Sequence, residues 1–448
     1  MPPTINRRSF HATAAGMGAL AFAPNASAAP PSQRVRLGFI GLGNRGDQVL
    51  DAFLVHPDAE VVALCDVYEP YLEAAKAKVG SHARTCRDFR ELIDQKDVDA
   101  VVISTPDHWH ALQFVAACQA GKDVYVEKPL SLTIAEGQRM VAVAQETGRV
   151  TQMGVQRRSS PLVKEMIDLI QQGAIGKVTV ARCYHLANES PLGIGAPPDC
   201  DPPAGLDWDL WLGPAPTVPY NPNRCLYKFR WFYDYSGGQI TNNGVHYLDL
   251  IQWALGQDAP RSVHAVGGKY FVRDNREVPD TMEVVWEYPG DTLVTFSQYN
   301  ANAAAANARN ADLEFRGTEG TMFLRGNQIE ILPEMVRLEE LPALSPLART
   351  ENRAQGKSRQ PARKPLLKEG DTSTELHTRN FLDCVKSRSA TNCPVAVGHR
   401  STVPTILANI SLKLARRLVW DPQTERFAND HEANRLLGYE YRSPWRLG

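Results

Sequence analysis

A nearly continuous apolar run, Arg34 to Ile40 (RVRLGFI), leads directly into Gly41-Leu42-Gly43-Asn44-Arg45-Gly46, and a helical stretch follows through Leu54. Strand, glycine turn and helix in immediate succession leave few folds open. Gly41 permits the turn, Gly43 leaves room for a phosphate against the backbone, and Gly46 lets helix and strand approach closely. The free N–H groups of the first helical turn then favour an anion at that place. A second strand, Glu60 to Leu64, ends at Cys65-Asp66, with Asp66 25 residues beyond Gly41. A carboxylate there accepts hydrogen bonds from adenosine ribose hydroxyls and repels a 2′-phosphate. The pattern therefore predicts a dinucleotide site that takes NAD rather than NADP.

The alternation continues along the chain. Helices are expected over Glu69 to Lys78, Asp88 to Asp94, Ala111 to Ala120 and Ser131 to Thr147. Strands are expected over Val98 to Ser104, Val124 to Val126 and around Arg149 to Met153. Apolar strands separated by helices form a parallel sheet covered on both faces, a Rossmann-like α/β domain. Its ligand sits beyond the carboxyl ends of the strands, where Thr105-Pro106-Asp107-His108-Trp109-His110 and Glu127-Lys128-Pro129 fall. The predicted cofactor contacts are accordingly Gly41, Leu42, Gly43, Asn44, Arg45, Gly46, Asp66, Ser104, Thr105, Pro106, His108, Trp109, His110, Glu127, Lys128 and Gln156.

The chain has 448 residues, whereas single cores stop growing at about 250–300 residues, so a second domain is expected. Beyond a helix at Pro161 to Gln172, β-type runs dominate: Lys177 to Leu186, Ser262 to Val272, Met282 to Tyr288, Thr292 to Gln298, Asp312 to Arg316 and Thr321 to Leu324. Hairpin-type turns such as Pro289-Gly290-Asp291 separate several of them. This predicts an α+β domain with a large, mostly antiparallel sheet, helices on one face and a partner subunit on the other. Ser190 to Pro203, Ala301 to Asn310 and Pro342 to Asp371 read as loops, and His377 to Lys386 and Ser401 to Trp420 as helices. The resulting division is residues 33–154, 155–420 and an aromatic tail, 421–448, packed on the body.

Two segments carry candidate chemistry. Lys128 stands at a strand end where a nicotinamide would lie, and the following proline restricts its backbone to extended geometry. An ammonium there can hold a hydroxyl and steady developing alkoxide. The second segment runs from Tyr235 to Asp249 (YSGGQITNNGVHYLD). Two glycines permit a close turn, and Asn242 and His246, four apart, share one helical face. Histidine exchanges protons near neutrality. Asn242 can orient its ring or bind a hydroxyl but cannot act as a base, and Asp249 either holds the imidazole or caps a neighbour. Between the segments lie Trp208, Trp211, Tyr220, Tyr227, Phe229, Trp231, Phe232, Tyr233 and Tyr235, with Arg224 and Arg230. Rings interleaved with hydrogen-bonding heads suit a sugar. The predicted substrate contacts are Lys128, Arg157, Tyr184, His185, Trp211, Arg224, Arg230, Tyr235, Asn242 and His246.

Single-stranded nucleic acid would suit such rings equally, but the formal net charge of −1 and the lack of a basic run argue against it. The 8 cysteines include no CxxC pair, and no metal site is expected. After export, Cys200 with Cys225 or Cys384 with Cys393 are pairs to consider.

The start, Asn6-Arg7-Arg8-Ser9-Phe10, is followed by a small, mostly apolar stretch to Ala23 and by Ala26-Ser27-Ala28. This is the layout of an export signal over residues 1–28, too short for a membrane anchor. The arginine pair with Ser-Phe resembles the twin-arginine signal, which implies that export machinery as a partner and the periplasm as destination. No stable membrane insertion is expected.

Taken together, the glycine turn, Thr105 to His110, Glu127-Lys128-Pro129 and Gly237 to His246 resemble the Gfo/Idh/MocA oxidoreductases, named for glucose-fructose oxidoreductase and inositol dehydrogenase. The resemblance covers essentially the whole mature chain. It implies that Lys128 and His246 are catalytic. In that family an Asp usually stands four residues before the histidine; here that place holds Asn242. Exported members include sugar-to-sugar oxidoreductases that keep their nicotinamide cofactor bound. Others are NAD-dependent glycosidases or lyases that work through a transient 3-keto sugar. The expectation is an NAD-dependent oxidoreductase of sugars or glycosides with a tightly bound, recycled cofactor. The alternative is the redox-neutral glycosidase or lyase, and a lesser one a non-catalytic sugar or nucleotide sensor.

Overall fold

The computed structural model describes residues 34–337 and 359–448. The expected export signal, and the early part of the 342–371 stretch, lie outside the described residues.

The first domain runs β1 (Val35–Ile40), α1 (Asn44–Leu54), β2 (Ala59–Cys65), α2 (Glu69–Val79), β3 (Arg84–Cys86), α3 (Phe89–Ile93), β4 (Ala100–Ile103), α4 (Asp107–Gln119), β5 (Asp123–Val126), α5 (Ile134–Thr147) and β6 (Thr151–Met153). The strands pair in the order β3-β2-β1-β4-β5-β6, all parallel. Strand order reverses between β1 and β4, which opens the crevice where ligands of such sheets bind. Gly41, at the end of β1, has φ +85°, and a Cβ there would stand 2.7 Å from the Thr105 nitrogen. A Cβ on Gly46 would stand 2.1 Å from the Gly41 carbonyl oxygen. Only glycine fits either place, so the motif fixes both the turn and the seating of α1. The first domain also draws on distant sequence, because Phe381 and Leu382 pack with Phe39, Phe53 and Tyr125. Fully burying a phenylalanine contributes about 1.5–3 kcal/mol, enough to make this late helix part of the early core.

The second domain begins with α6 (Pro161–Gln171), β7 (Val178–Leu186) and α7 (Trp208–Leu212). A π turn (Ile240–Gly244) then leads into α8 (Val245–Leu255). The strands β8 (Ser262–Gly268), β9 (Thr281–Tyr288), β10 (Thr292–Tyr299), β11 (Leu313–Gly317), β12 (Gly320–Arg325) and β13 (Gln328–Pro333) follow. After the short pair β14 (Met335–Val336) and β15 (Gln360–Pro361) come β16 (Leu366–Glu369), α9 (Glu375–Ser387) and α10 (Val395–Leu414). The last elements are β17 (Leu418–Asp421), β18 (Arg426–Phe427) and α11 (His431–Asn434). The ten-stranded sheet has the order β16-β13-β12-β11-β7-β10-β9-β8-β17-β18. Only β7 and β10 pair in parallel, so the sheet is mostly antiparallel, as expected.

Alternation decides the two faces. In β9, Met282, Val284, Trp286 and Tyr288 join the core with Ile167, Leu248, Ile251 and Leu407 from α6, α8 and α10. On the opposite face Val266, Val285, Leu293 and Val419 are exposed.

Several sequence expectations are corrected. Leu366–Glu369, within the stretch read as a loop, returns to pair with β13. The helix expected over Ser401 to Trp420 begins at Val395 and stops at Leu414, where Ala415 takes φ +51°. Leu418–Asp421 is instead a strand, paired with β8. All eight cysteines are free, so neither suggested disulfide is present. The tail packs on the body: the Trp445 ring lies 4.7 Å from Trp109, and Arg442 donates to the Gly213 carbonyl at 2.8 Å. Among the described residues no helix is long and apolar enough to cross a membrane.

Candidate active site

The principal cleft lies along the carboxyl ends of β1, β2, β4 and β5. Gly41, Gly43, Asn44 and Arg45 form one wall, with Asp66 beside them. Ser104, Thr105, Pro106, Trp109, Glu127 and Lys128 continue it, and Trp211, Arg230 and Asn242 close it from the second domain.

Lys128 is the hinge of this arrangement. Its Nζ donates to Asn242 Oδ1 at 2.9 Å and to the Asn242 carbonyl oxygen at 3.1 Å. The Asn242 amide in turn donates to Gln239 Oε1 at 3.0 Å. Burial pulls the Lys128 ammonium down to about 8, against the opposing pull of Glu127 and Asp107. Glu127 does not pair with Lys128 Nζ; it holds Arg45 Nε at 2.9 Å. That contact joins the glycine turn to the end of β5.

His246 follows the π turn. Burial, with Lys128 and Arg157 nearby, holds its imidazole well below its usual range, hence neutral. No hydrogen bond joins it to another described residue. Asp249 does not orient it: its carboxylate accepts from Arg158 Nε at 2.8 Å and from Ser401 Oγ at 2.5 Å. The second of the two readings for Asp249, support of a neighbour, is the correct one.

Asp66 accepts from the Leu42 backbone at 2.7 Å and from the Tyr68 backbone at 2.9 Å, while burial raises it to about 6. It therefore fastens the glycine turn as well as facing the cleft. Leu42 and Gly46 support that turn from behind rather than lining the cleft. His108 also lies behind the wall, with Nε2 3.1 Å from the Trp211 carbonyl and burial pulling it to about 3. His110 sits between the carbonyl oxygens of Pro129, at 2.7 Å from Nδ1, and Thr105, at 2.9 Å from Nε2.

Several expected contacts fall elsewhere. Gln156 lies in a 3₁₀ turn (Gln156–Ser159), and Arg157 stacks on Tyr247 with 5.1 Å to the ring centre. Tyr184 donates to Glu314 Oε1 at 3.0 Å on the sheet face away from the helices. His185 Nδ1 is 2.6 Å from the Asn243 amide, and burial lowers it to about 4. Arg224 is held by Asp234 and Glu277, and Tyr235, fully buried, by Arg224. None of these six lines the cleft.

The sequence reading did not place Asp107, Tyr71, Phe89 and Leu226 at the cleft. Asp107 begins α4, and its carboxylate accepts from Ser236 Oγ at 2.5 Å, a contact between domains. Its place in the Thr105 to His110 motif was the available signal. Tyr227 and Phe229 belong to the aromatic tract already read as ligand-binding, but the sequence did not separate lining rings from packed ones.

The family model described as an oxidoreductase family, NAD-binding Rossmann fold, matches residues 35–155, and its C-terminal alpha/beta domain matches 163–342 and 356–447. The chain belongs to the Gfo/Idh/MocA family. A glycosyl hydrolase family 109 protein of Shewanella sp. (strain ANA-3) is 30% identical over 158 residues, 34% of this chain and 34% of that protein. An inositol 2-dehydrogenase of Salmonella typhimurium is 33% identical over 153 residues, 34% of this chain and 46% of the relative. Each match thus spans less than half of the relative. The WlbA dehydrogenase of Bordetella pertussis, solved with NADH and UDP-GlcNAcA, shares the fold: TM-score 0.63, 20% identity, 87% of this chain and 98% of that one.

The residues present fit NAD. α1 starts at Asn44 without a side-chain cap from Gly43, so its first N–H groups are available to a pyrophosphate. A Cβ on Gly43 would stand 2.9 Å from Tyr71 and fill that cradle. Asp66 would supply the ribose acceptor, and Lys128 lies three strands further along the sheet edge.

Proposed function

We propose that this Gfo/Idh/MocA member is an exported NAD-dependent oxidoreductase acting on a hydroxyl of a sugar or glycoside, with its cofactor retained and recycled. The observation that carries the reading is the Lys128–Asn242 contact, which sets a desolvated ammonium in the nucleotide cleft; Asn242 stands four residues before His246, whose own side chain does not line the cleft. When bound, NAD supplies a hydride acceptor and donor for the sugar carbon. The chain's own residues do the rest. Lys128 holds the reacting hydroxyl and stabilises negative charge developing on its oxygen. Neutral His246 takes the hydroxyl proton and later returns it. Asn242 keeps Lys128 directed at the cleft, and Trp211 and Arg230 border the space left for the sugar.

Arg7-Arg8-Ser9-Phe10 supports twin-arginine export to the periplasm. That compartment maintains no NAD pool, so a held cofactor and a redox-neutral cycle suit it. The exposed apolar row Val266, Val285 and Leu293 supports a homo-oligomer through the open sheet face.

A second reading, an NAD-dependent glycosidase or lyase, is favoured by the family 109 relative. Oxidation at C3 would acidify the C2 proton, and elimination would expel the C1 substituent. That route needs a second base for the C2 proton; the sequence offers Tyr184, His185 or Tyr235, none of which lines the cleft, whereas Asp107 does, so proton removal would fall to Asp107. A non-catalytic sensor is disfavoured by the presence of both Lys128 and His246.

The test incubates the purified protein with paired free sugars and methyl glycosides while sugars and reduced nicotinamide are followed. Sugar-to-sugar exchange without bond cleavage supports the main reading. Glycoside cleavage with no net NADH replaces it by the second, and Lys128→Met turning over normally removes both.

A further inference from the structure

Among the cations that line the cleft, Arg230 stands apart: Arg87 pairs with Glu69, and Lys128 is held by Asn242. Arg45 is paired with Glu127 and, outside the lining, Arg224 with Asp234 and Glu277, and Arg276 with Asp274 and Glu189. Lys228 donates to Asn223 Oδ1 at 2.9 Å. Arg230 has neither an acidic partner nor a hydrogen bond among the described residues, and its Nε is shielded from solvent without an acceptor.

Its surroundings are aromatic. The guanidinium carbon lies 4.4 Å from the Tyr227 ring centre, 5.4 Å from Trp231 and 5.5 Å from Phe229. Rings answer the faces of the guanidinium plane but supply no acceptor for its N–H edge. The side chain borders the same cleft as Lys128 and Asn242. Asp107, the cleft carboxylate whose field reaches Arg230, makes no ion pair with it and already accepts from Ser236. Two cations therefore face this end of the cleft with little anionic compensation. A neutral hydroxyl would fill one N–H position and leave the charge unanswered; an anion answers both.

Position separates this from the dinucleotide. The pyrophosphate cradle is at Gly43 and the start of α1, whereas Arg230 exerts its field on Lys128 and Asp107, at the ends of β5 and β4.

We propose that Arg230 recognises an anionic group on the sugar, a carboxylate or a phosphate or sulfate ester, and that the natural substrate is an acidic sugar. This rests on the sugar-oxidoreductase reading above. The guanidinium fork would grip the anion while Lys128 holds the reacting hydroxyl, so one end of the ring is anchored and the other presented.

The experiment measures binding to the NADH-loaded protein by calorimetry, using matched pairs: glucose with glucuronate and glucose 6-phosphate, galactose with galacturonate. Arg230→Gln and Arg230→Lys are compared with the unaltered chain, with melting curves confirming that each folds. The expected result is an acidic member bound at least about tenfold more tightly than its neutral twin, a factor worth about 1.4 kcal/mol. Arg230→Gln removes that preference, Arg230→Lys keeps part of it, and NADH affinity stays within about twofold. Equal binding of the pair, or a preference that survives in Arg230→Gln, overturns the proposal. So does a loss of NADH affinity of about tenfold in Arg230→Gln, which would assign the guanidinium to the pyrophosphate. If neutral sugars bind the NADH-loaded protein and reduce the NAD⁺-loaded one while acidic sugars do neither, only the acidic-substrate proposal falls. If no sugar of either kind binds or reacts, the parent reading falls with it.

Discussion

Lys128 Nζ stands 2.9 Å from Asn242 Oδ1, so the ammonium at the end of β5 is held across the domain boundary by a neutral acceptor rather than a carboxylate. The consequence is electrostatic. With burial unopposed by a directly bonded anion, Lys128 falls to about 8, and its charge is lost at mildly alkaline pH.

This makes the alkaline limb of activity a reporter of residue 242. With Lys128 proposed to act as the ammonium, kcat/KM should fall as pH rises through about 8. Asn242→Asp places a negative charge on the same contact and favours the protonated lysine. The limb should move up by about 1–2 pH units. A profile unchanged in Asn242→Asp would show that another group titrates there.

His246 is held neutral well below its usual range, so it remains a competent base throughout weakly acidic to neutral pH. His246→Ala should lower kcat/KM by about 10²–10⁴. Lys128→Met should lower it by about 10²–10³ through loss of charge stabilisation. Neither change touches the glycine turn, and retained nucleotide should be the same in both variants. Steady-state rates and nucleotide released on denaturation check the two halves of this statement. A His246→Ala enzyme of near-normal rate would remove the proton-transfer role.

Asp249 and Arg158 form a pair in which the acid is 1% and the arginine 11% exposed. Removing the acid strands a desolvated guanidinium. Asp249→Ala should therefore lose about 3–5 kcal/mol of stability, read as an earlier midpoint in denaturant. If the variant is instead as stable as the parent but slow, Asp249 acts on His246 after all.

Much of this site is written in short spans of sequence, because a parallel sheet delivers its ligand contacts from strand ends. Gly41 to Gly46, Asp66 and Glu127-Lys128-Pro129 each follow a strand whose apolar run is visible, so their convergence follows from topology. Asn242 was legible through its spacing from His246, although the π turn between them was not. Contacts such as Asp107–Ser236, 129 residues apart, or Arg158–Asp249, 91 apart, leave no local pattern. Tyr184 shows another limit. Alternation in β7 places Cys183 on the helix face and Tyr184 on the other, but sequence does not say which face meets the cleft. Pairing with β13 likewise recruits Leu366–Glu369 through a long-range contact that its polar neighbours conceal.

His110 touches two strand-end loops at once, through the Pro129 and Thr105 carbonyls. His110→Ala leaves both carbonyls without that partner and should cost about 1–3 kcal/mol. Because Pro129 adjoins Lys128, turnover should fall by more than the loss of folded protein accounts for. Thermal melts and kcat measured on the same preparation separate the two effects; a rate that tracks the folded fraction would make His110 purely structural.

In the proposed reaction Lys128 acts within a cleft that already holds its dinucleotide. One measurement addresses it most directly: the near-ultraviolet absorbance of reduced nicotinamide in the protein as purified, with no nucleotide added, before and after mixing with a panel of neutral and acidic sugars. The account predicts a change stoichiometric with retained nucleotide for the unaltered chain and none for Lys128→Met, although that variant releases as much nucleotide on denaturation. A chain that carries no nucleotide, or a Lys128→Met variant that gives the same change, would contradict it.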